Sequence, residues 1–314
     1  MKPKDWFAFI ALGTIWGSSF LWIKIAVQEI SPLMLVSLRL LIGGLGLGAM
    51  AFYNRPAFPR NKRIWLVLFV LGFINTGIPY LMISWGEQYI DSAIAAILNS
   101  TTPLFTMLIA TIFLNDDKLT IRRFFGLLVG FIGIILLVGR DLATPKLTYT
   151  IYLEKLPQLN TAGFLIDYFK QIPFPLWGQL AVLGASLFYG IGSVLTRRTT
   201  QGLSPIVIGL VPLFSADAVF WAFIGVGNNT HHLPNLPVTW LAVLWLGFMG
   251  SAFSFILYYY LIHSIGPTRA TLVTYIFPLI GVILGVLVLH ELLDWRVIIG
   301  GSLIVGSIVV VNKQ

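Results

Sequence analysis

Residues 64–128 and 239–303 align without a gap at an offset of 175 (240 minus 65), and this duplication constrains the fold more than any other feature. The register sets Trp65 on Trp240, Leu71-Gly72-Phe73 on Leu246-Gly247-Phe248, Ile90 on Ile265 and Pro103-Leu104 on Pro278-Leu279. It also sets Asp116 on Glu291 and Gly126 on Gly301. Upstream, an offset of 173 (190 minus 17) sets Trp16-Gly17 on Tyr189-Gly190, Lys24 on Arg197 and Ser31-Pro32 on Ser204-Pro205. Each copy holds five hydrophobic spans. Because five is odd, the second copy enters a bilayer from the opposite side. The copies then form inverted halves with room for a site between them.

Composition requires that bilayer. The chain is 57% hydrophobic and 10% charged, with a mean hydropathy of +0.89. Soluble domains carry about 25% charged residues. A membrane helix takes about 20 apolar residues, and ten such segments fit: 6–26, 32–52, 64–84, 93–113, 122–139, 177–196, 205–226, 239–261, 268–288 and 296–312. The predicted fold is an all-α membrane protein, two inverted five-helix repeats around a central cavity. The first repeat covers 1–139, an outer loop 140–175 and the second repeat 176–314. The net charge of +8 reports topology rather than nucleic-acid affinity. Of 20 Lys and Arg, thirteen (residues 2, 4, 55, 60, 62, 63, 118, 122, 123, 197, 198, 269 and 313) collect on one face. Six (24, 140, 146, 155, 170 and 296) collect on the other, and Arg39 lies inside a span. The positive-inside bias places both termini in the cytoplasm and the chain in a plasma membrane, the inner membrane of a prokaryote.

Several chemistries are excluded. With no cysteine, there is no disulfide, thiolate metal site or cysteine nucleophile. The glycines near Gly190 and Gly192 do not follow a strand, and no phosphate-binding loop occurs. His231-His232 has no further ligands around it, and His290-Glu291 is not completed to H-E-x-x-H, so no metal, cofactor or catalytic residue is assigned. The 140–175 loop carries seven charges and reads as a solvated linker, with a lid over the outer mouth as the sharper reading. Gly126 and Gly130 form GxxxG, read as close packing within the monomer or as a homodimer seam.

Helical spacing selects one small, polar or aromatic face per span. On the fourth span Ala96, Asn99 and Pro103 align; on the ninth, Thr271, Thr274 and Pro278. On the third, Gly72, Asn75, Thr76 and Pro79 group, with Tyr80 beside them; on the eighth, Gly247, Gly250, Ser251, Ser254 and Tyr258. On the first and sixth, Trp16 and Tyr189 lie too deep for an interfacial belt. Polar groups at this depth are tolerated facing protein or a water-filled cavity. The expected substrate-binding set is therefore Trp16, Asn75, Tyr80, Asn99, Tyr189, Ser254, Tyr258 and Thr274, with interhelical hydrogen bonding the plainer reading of Asn75 and Asn99. Pro103 and Pro278 are read as kinks that permit bending. Arg39 is taken as the only charge far from a span end, where an unpaired charge costs on the order of 3 kcal/mol. An ion pair to Glu29, Glu87 or Asp91, structural or gating, is expected for it ahead of direct carboxylate capture. No Asp or Glu is placed mid-membrane, so no buried carboxylate proton relay is expected.

Taken in order, these segments resemble the EamA-type branch of the drug/metabolite transporter superfamily. The resemblance is carried by Trp16-Gly17-Ser18-Ser19-Phe20, by Ser31-Pro32 leading to Arg39, by the stretch from Gly72 through Tyr89 to Ser92-Ala93, and by Pro103 and Pro278. The family usually ends its fourth and ninth spans with a glutamate. Here the ninth keeps it as Glu291, grouped with the gating residues, and the fourth has Asp116-Asp117. The resemblance implies export of amino acids, related metabolites or drugs, or movement of sugars and sugar phosphates. Without a basic cluster facing the cavity, the expectation is alternating-access export of a small uncharged or zwitterionic metabolite, such as an amino acid, or of a hydrophobic amine. A sugar or phosphorylated-sugar exchanger is the alternative, and an intramembrane enzyme or channel the alternative of another class. The expected partners are the solute and the lipid bilayer.

Overall fold

The computed structural model describes residues 2–113, 120–142, 174–226, 232–265 and 271–312. The 140–175 loop falls almost wholly outside these residues, as do Asp116-Asp117 and His231. No strand occurs among the described residues. Ten helical spans are seen: α1 (Pro3–Ala26), α2 (Pro32–Asn54), α3 (Lys62–Gly86), α4 (Ser92–Phe113), α5 (Ile121–Leu142), α6 (Phe174–Thr199), α7 (Pro205–Val226), α8 (237–265), α9 (271–289) and α10 (Trp295–Asn312). Seven are long and apolar enough to cross a membrane. The other three contribute the shorter apolar stretches Phe124–Gly139, Val273–Leu289 and Trp295–Ser307.

Helix starts and stops follow local chemistry. Ser31 accepts the Met34 N–H at 3.3 Å, with Pro32 at the first helical position of α2. Asn61 accepts the Arg63 N–H at 2.9 Å to start α3. Arg55 and His290 end α2 and α9 in the left-handed conformation, at φ 45° and 55°, which costs a non-glycine residue about 1–2 kcal/mol.

The closest helix pairings are unchanged when the two repeats are exchanged. Helices α2 and α7, α4 and α9, and α5 and α10 each pack on their own counterpart. The pairs α1–α8 and α6–α3, α1–α9 and α6–α4, and α2–α8 and α7–α3 exchange. Single residues obey the rule. Gly17 packs against Phe277 and Ile280, as Gly190 packs against Phe105 and Thr106. A Cβ on Gly72 would meet Pro212 O and Ser215 Oγ; one on Gly247 would meet Arg39 O and Ile42. Counterpart helices run antiparallel. Gly130 and Gly133 of α5 lie against Ser307 and Ile304 of α10, and Gly300 lies against Leu137. An axis that exchanges antiparallel helices is perpendicular to them, hence in the plane of the membrane. Gly130 of the GxxxG pair is thus occupied within the chain, by Leu104 and Ser307. This is how small residues bring helices together where lipid supplies no hydrophobic drive.

Two irregularities recur in both halves. The α3 span widens into a π-helix over Phe73–Gly77, and α8 over Trp245–Phe253. In α3 the cause is Pro79, which lacks the N–H that would bond the Asn75 carbonyl. Secondly, α4 is interrupted at Ser100–Thr101, just before Pro103, and α9 runs as a 3₁₀ turn over Thr271–Tyr275 before Pro278. Hydroxyls satisfy the carbonyls released in α4. Ser100 bonds Ile97 O at 2.6 Å, Thr101 bonds Leu98 O at 2.6 Å and Thr102 bonds Asn99 O at 2.8 Å.

Candidate functional site

The widened turn of α8 is where the site residues converge. A π-turn leaves carbonyls without their usual i+4 donor, and side chains take them. Ser251 Oγ bonds Leu246 O at 3.1 Å, and Ser254 Oγ bonds Gly250 O at 2.9 Å and Ser251 O at 3.1 Å. From α1, Trp16 Nε1 donates to Gly250 O at 3.2 Å. Trp16 also heads an aromatic cluster, with Tyr258 at 5.5 Å and Phe277 at 6.0 Å between ring centroids. The Arg39 guanidinium lies on the other side of the same turn, where its terminal nitrogen would stand 3.7 Å from a Cβ on Gly250.

Arg39 departs from expectation. It is buried, 6% exposed, and makes no ion pair to Glu29, Glu87 or Asp91 in the structure. Its partners are neutral. Nε donates to Ser251 Oγ at 3.3 Å, and the guanidinium lies 3.8 Å over the Tyr80 ring. The glycine-rich face of α8 lets the side chain run inward to Ser251 rather than outward to the acids. Tyr189 lies within electrostatic range of both Arg39 and Tyr80.

The other expected residues are spread around this centre. Asn75 packs on Gly192 of α6. Asn99 is buried, and its Oδ1 accepts from Ser186 Oγ at 3.3 Å, which joins α4 to α6. Thr274 is half-buried in the 3₁₀ turn of α9. Ser254 is fully buried and its hydroxyl is turned back onto its own helix. A concavity of about 720 Å³ lies elsewhere. It is an apolar groove between α3 and α7, lined by Phe58, Trp65, Phe69 and Phe214 among others, and it lacks the polar groups of the π-turn region.

Two acidic residues correct the sequence reading. Asp217 lies well inside α7 and is 4% exposed, so Arg39 is not the only charge far from a span end, and an acid does lie within the membrane. Its apolar neighbours hide it in any averaged hydropathy. Glu87, in the turn after α3, is completely buried, and neither carboxylate oxygen has a hydrogen-bond partner. The nearby Lys24 Nζ is occupied with the carbonyls of Glu87 and Ile90, at 2.7 Å each.

Two further carboxylates link the repeats at this end. Glu291 accepts from the N–H groups of Ser92 at 2.7 Å and Ala93 at 3.0 Å, capping α4 from the opposite repeat. Glu29 takes the N–H groups of Asn235 and Leu236 at the start of α8, at 2.5 and 3.1 Å. The Thr239 hydroxyl, with these two N–H groups, lowers the Glu29 carboxyl below its ordinary value. Anions at helix N-termini meet both the free N–H groups and the positive end of the dipole. At the other end Asp5 accepts from Tyr260 at 3.0 Å and Ser264 at 2.5 Å, tying α1 to α8. Glu291→Ala should lower stability by about 1–2 kcal/mol, as loss of an N-cap does, and Glu291→Gln by less. Melting in detergent checks this; an unchanged midpoint for Glu291→Ala would show the cap to be without weight.

The EamA-like transporter family model matches residues 5–139 and 176–313, once per repeat. The chain belongs to the EamA-like transporter family. It is 25% identical over 305 residues to the uncharacterized transporter YoaV of Bacillus subtilis, covering 96% of this chain and 94% of that one. It is 28% identical over 281 residues to the uncharacterized inner membrane transporter YedA of Escherichia coli K12, covering 88% and 80%. A solved crystal structure shares the fold with a TM-score of 0.64 at 17% identity, over 99% of this chain and 98% of the other. In this EamA-like chain, a transporter and a membrane protein, the π-turn of α8 is approached by both Trp16 and Arg39 at Gly250.

Proposed function

We propose that this transporter exports a small zwitterionic metabolite, an amino acid or a related compound, by alternating access between its two repeats. The observation that carries the reading is Arg39, a permanent cation buried in the membrane and held, among the described residues, by a hydroxyl and an aromatic face. A buried charge without a counterion is costly, and a substrate carboxylate supplies one with bidentate geometry. The ring cluster of Trp16, Tyr258 and Phe277, around the same turn, suits the ammonium end through cation–π attraction. One guanidinium matches one carboxylate; a dianionic phosphate would want a second cation. This reading replaces the ion pair expected for Arg39 while keeping the zwitterionic class. Asn99 and Ser254 support the walls, and Pro103 and Pro278 sit where α4 and α9 give way. The basic-rich face is placed in the cytoplasm of a prokaryotic cell, so that export runs away from it.

The test is counterflow in proteoliposomes of the purified chain, preloaded with neutral amino acids. Exchange of these is the expected result, with a reporter fused after residue 314 reading cytoplasmic in cells. Selective exchange of sugar phosphates against inorganic phosphate, or an exoplasmic reporter, would overturn the substrate class or the orientation respectively.

A further inference from the structure

We propose that Glu87 is a proton-binding site that is protonated when the outer end of the transport path is closed and releases its proton to the outer water when that end opens. The inference rests on alternating access and goes beyond it, because it assigns a second ligand to a second place.

Geometry comes first. Glu87 lies in the turn between α3 and α4, where a charged side chain would ordinarily reach water, yet it is completely buried and both carboxylate oxygens lack a donor. A carboxylate anion without hydrogen bonds in such a place costs several kcal/mol, whereas the neutral acid costs far less. The charged groups acting on it are Lys24 from α1, Arg39 from α2 and Glu291 from the α9–α10 turn. None gives it a hydrogen bond. Lys24 is spent on two carbonyls, Arg39 on Ser251 and Tyr80, and Glu291 on the start of α4. Burial dominates and holds the Glu87 carboxyl well above its ordinary value; Lys24 and Arg39 pull it down, and Glu291 pushes it up.

Location gives the site its consequence. Glu291, which links the repeats here, acts on Glu87 through space. Glu291 of the second repeat caps Ser92 and Ala93, in the helix that begins five residues after Glu87. Beside them an outer cleft of about 410 Å³ is lined by Lys24, Gln28, Asp91 and residues 289–292. Parting the repeats here breaks the Glu291 cap and lets water reach Glu87. The carboxyl then ionises with the proton leaving to solvent, and no other bond is made or broken. The closed state has the higher proton affinity, so closure is favoured at low pH. It weakens as pH rises through the window between the open-state and closed-state values, about tenfold per pH unit. Above the closed-state value the dependence levels off.

The chain has no cysteine, so a single thiol reports on opening. Ser92 is fully buried beside the Glu291 cap and its hydroxyl makes no hydrogen bond, so Ser92→Cys is a mild change. In proteoliposomes the rate at which a membrane-impermeant maleimide labels it is measured from pH 5.5 to 8. With Glu87 present, the rate should rise by about tenfold per pH unit beyond the thiol's own titration, over part of this range. In the Glu87→Gln background labelling should be slow and follow the thiol's titration alone, while Glu87→Asp should keep the excess slope. Identical profiles with Glu87 and with Glu87→Gln overturn the proton site and leave alternating access standing. No labelling at any pH in any form shows that the outer end never opens, and overturns both. Should Glu87→Gln not yield monodisperse protein, the slope with Glu87 decides alone: one no steeper than that of free cysteine overturns the site.

Discussion

Arg39→Leu should reduce the initial rate of amino-acid transport at subsaturating concentration by roughly 30-fold or more, with the protein still folded. Losing a buried charge-assisted contact to a carboxylate costs about 2–5 kcal/mol, and 1.4 kcal/mol is tenfold. Folding should survive, because replacing a buried charge with an apolar side chain of similar reach is often neutral or stabilising in the free protein. Only a weak hydrogen bond to Ser251 and the stacking on Tyr80 are lost. Arg39→Lys should fall between, since it keeps the charge but neither the planar fork nor the stacking. Both variants are assayed by counterflow per folded molecule, with melting in detergent alongside. Normal transport by Arg39→Leu would sink the carboxylate assignment. A fall in folded yield with unchanged transport per molecule would make the guanidinium a structural brace instead.

Gly72→Ala and Gly247→Ala should each destabilise by about 1–3 kcal/mol, the usual cost of overpacking. At Gly247 the added methyl would stand 2.6 Å from Ile42 Cβ, an atom that cannot swing aside. At Gly72 it would press on the Pro212 carbonyl, which is backbone. Gly306→Ala is the control, because open space surrounds that position; helix propensity alone makes it neutral or stabilising by up to about 1 kcal/mol. Detergent melting and the monodisperse fraction decide. Parallel behaviour of Gly72→Ala and Gly306→Ala would show that the two crossings have slack, and Gly72→Leu, larger again, should then still fold.

The spans and the duplication were legible because both are written in the order of apolar residues. Gly72 and Gly247, or Gly17 and Gly190, could be matched in sequence before the contact each makes with the opposite repeat was visible. Trp16 and Asn99 were picked out by depth and helical face, and both are at least half-buried in the structure. The widened turns were not legible, since neither Phe73–Gly77 nor Trp245–Phe253 disturbs the hydropathy. Ser254 was expected to face a cavity, whereas its hydroxyl turns back onto the Gly250 and Ser251 carbonyls of its own helix. Arg39 was assigned acidic partners close in sequence; its hydrogen-bond partner, Ser251, is 212 residues away. Glu87 was named only as an ion-pair partner for Arg39, and nothing in its own stretch of sequence announces that it is completely buried with neither oxygen bonded. Asp217 needed no structure: it stands in plain view in α7, and an inventory of acids inside spans would have found it.

The paired π-turns also limit what one repeat can be without the other. Both fall within the ungapped offset. In each repeat the matching glycine rests on the opposite repeat, Gly72 just before its turn on Pro212 and Gly247 within its turn on Arg39 and Ile42. A single five-helix unit carrying that turn would have nothing of its own to seat it against, and would need an upside-down copy beside it, which the second repeat supplies.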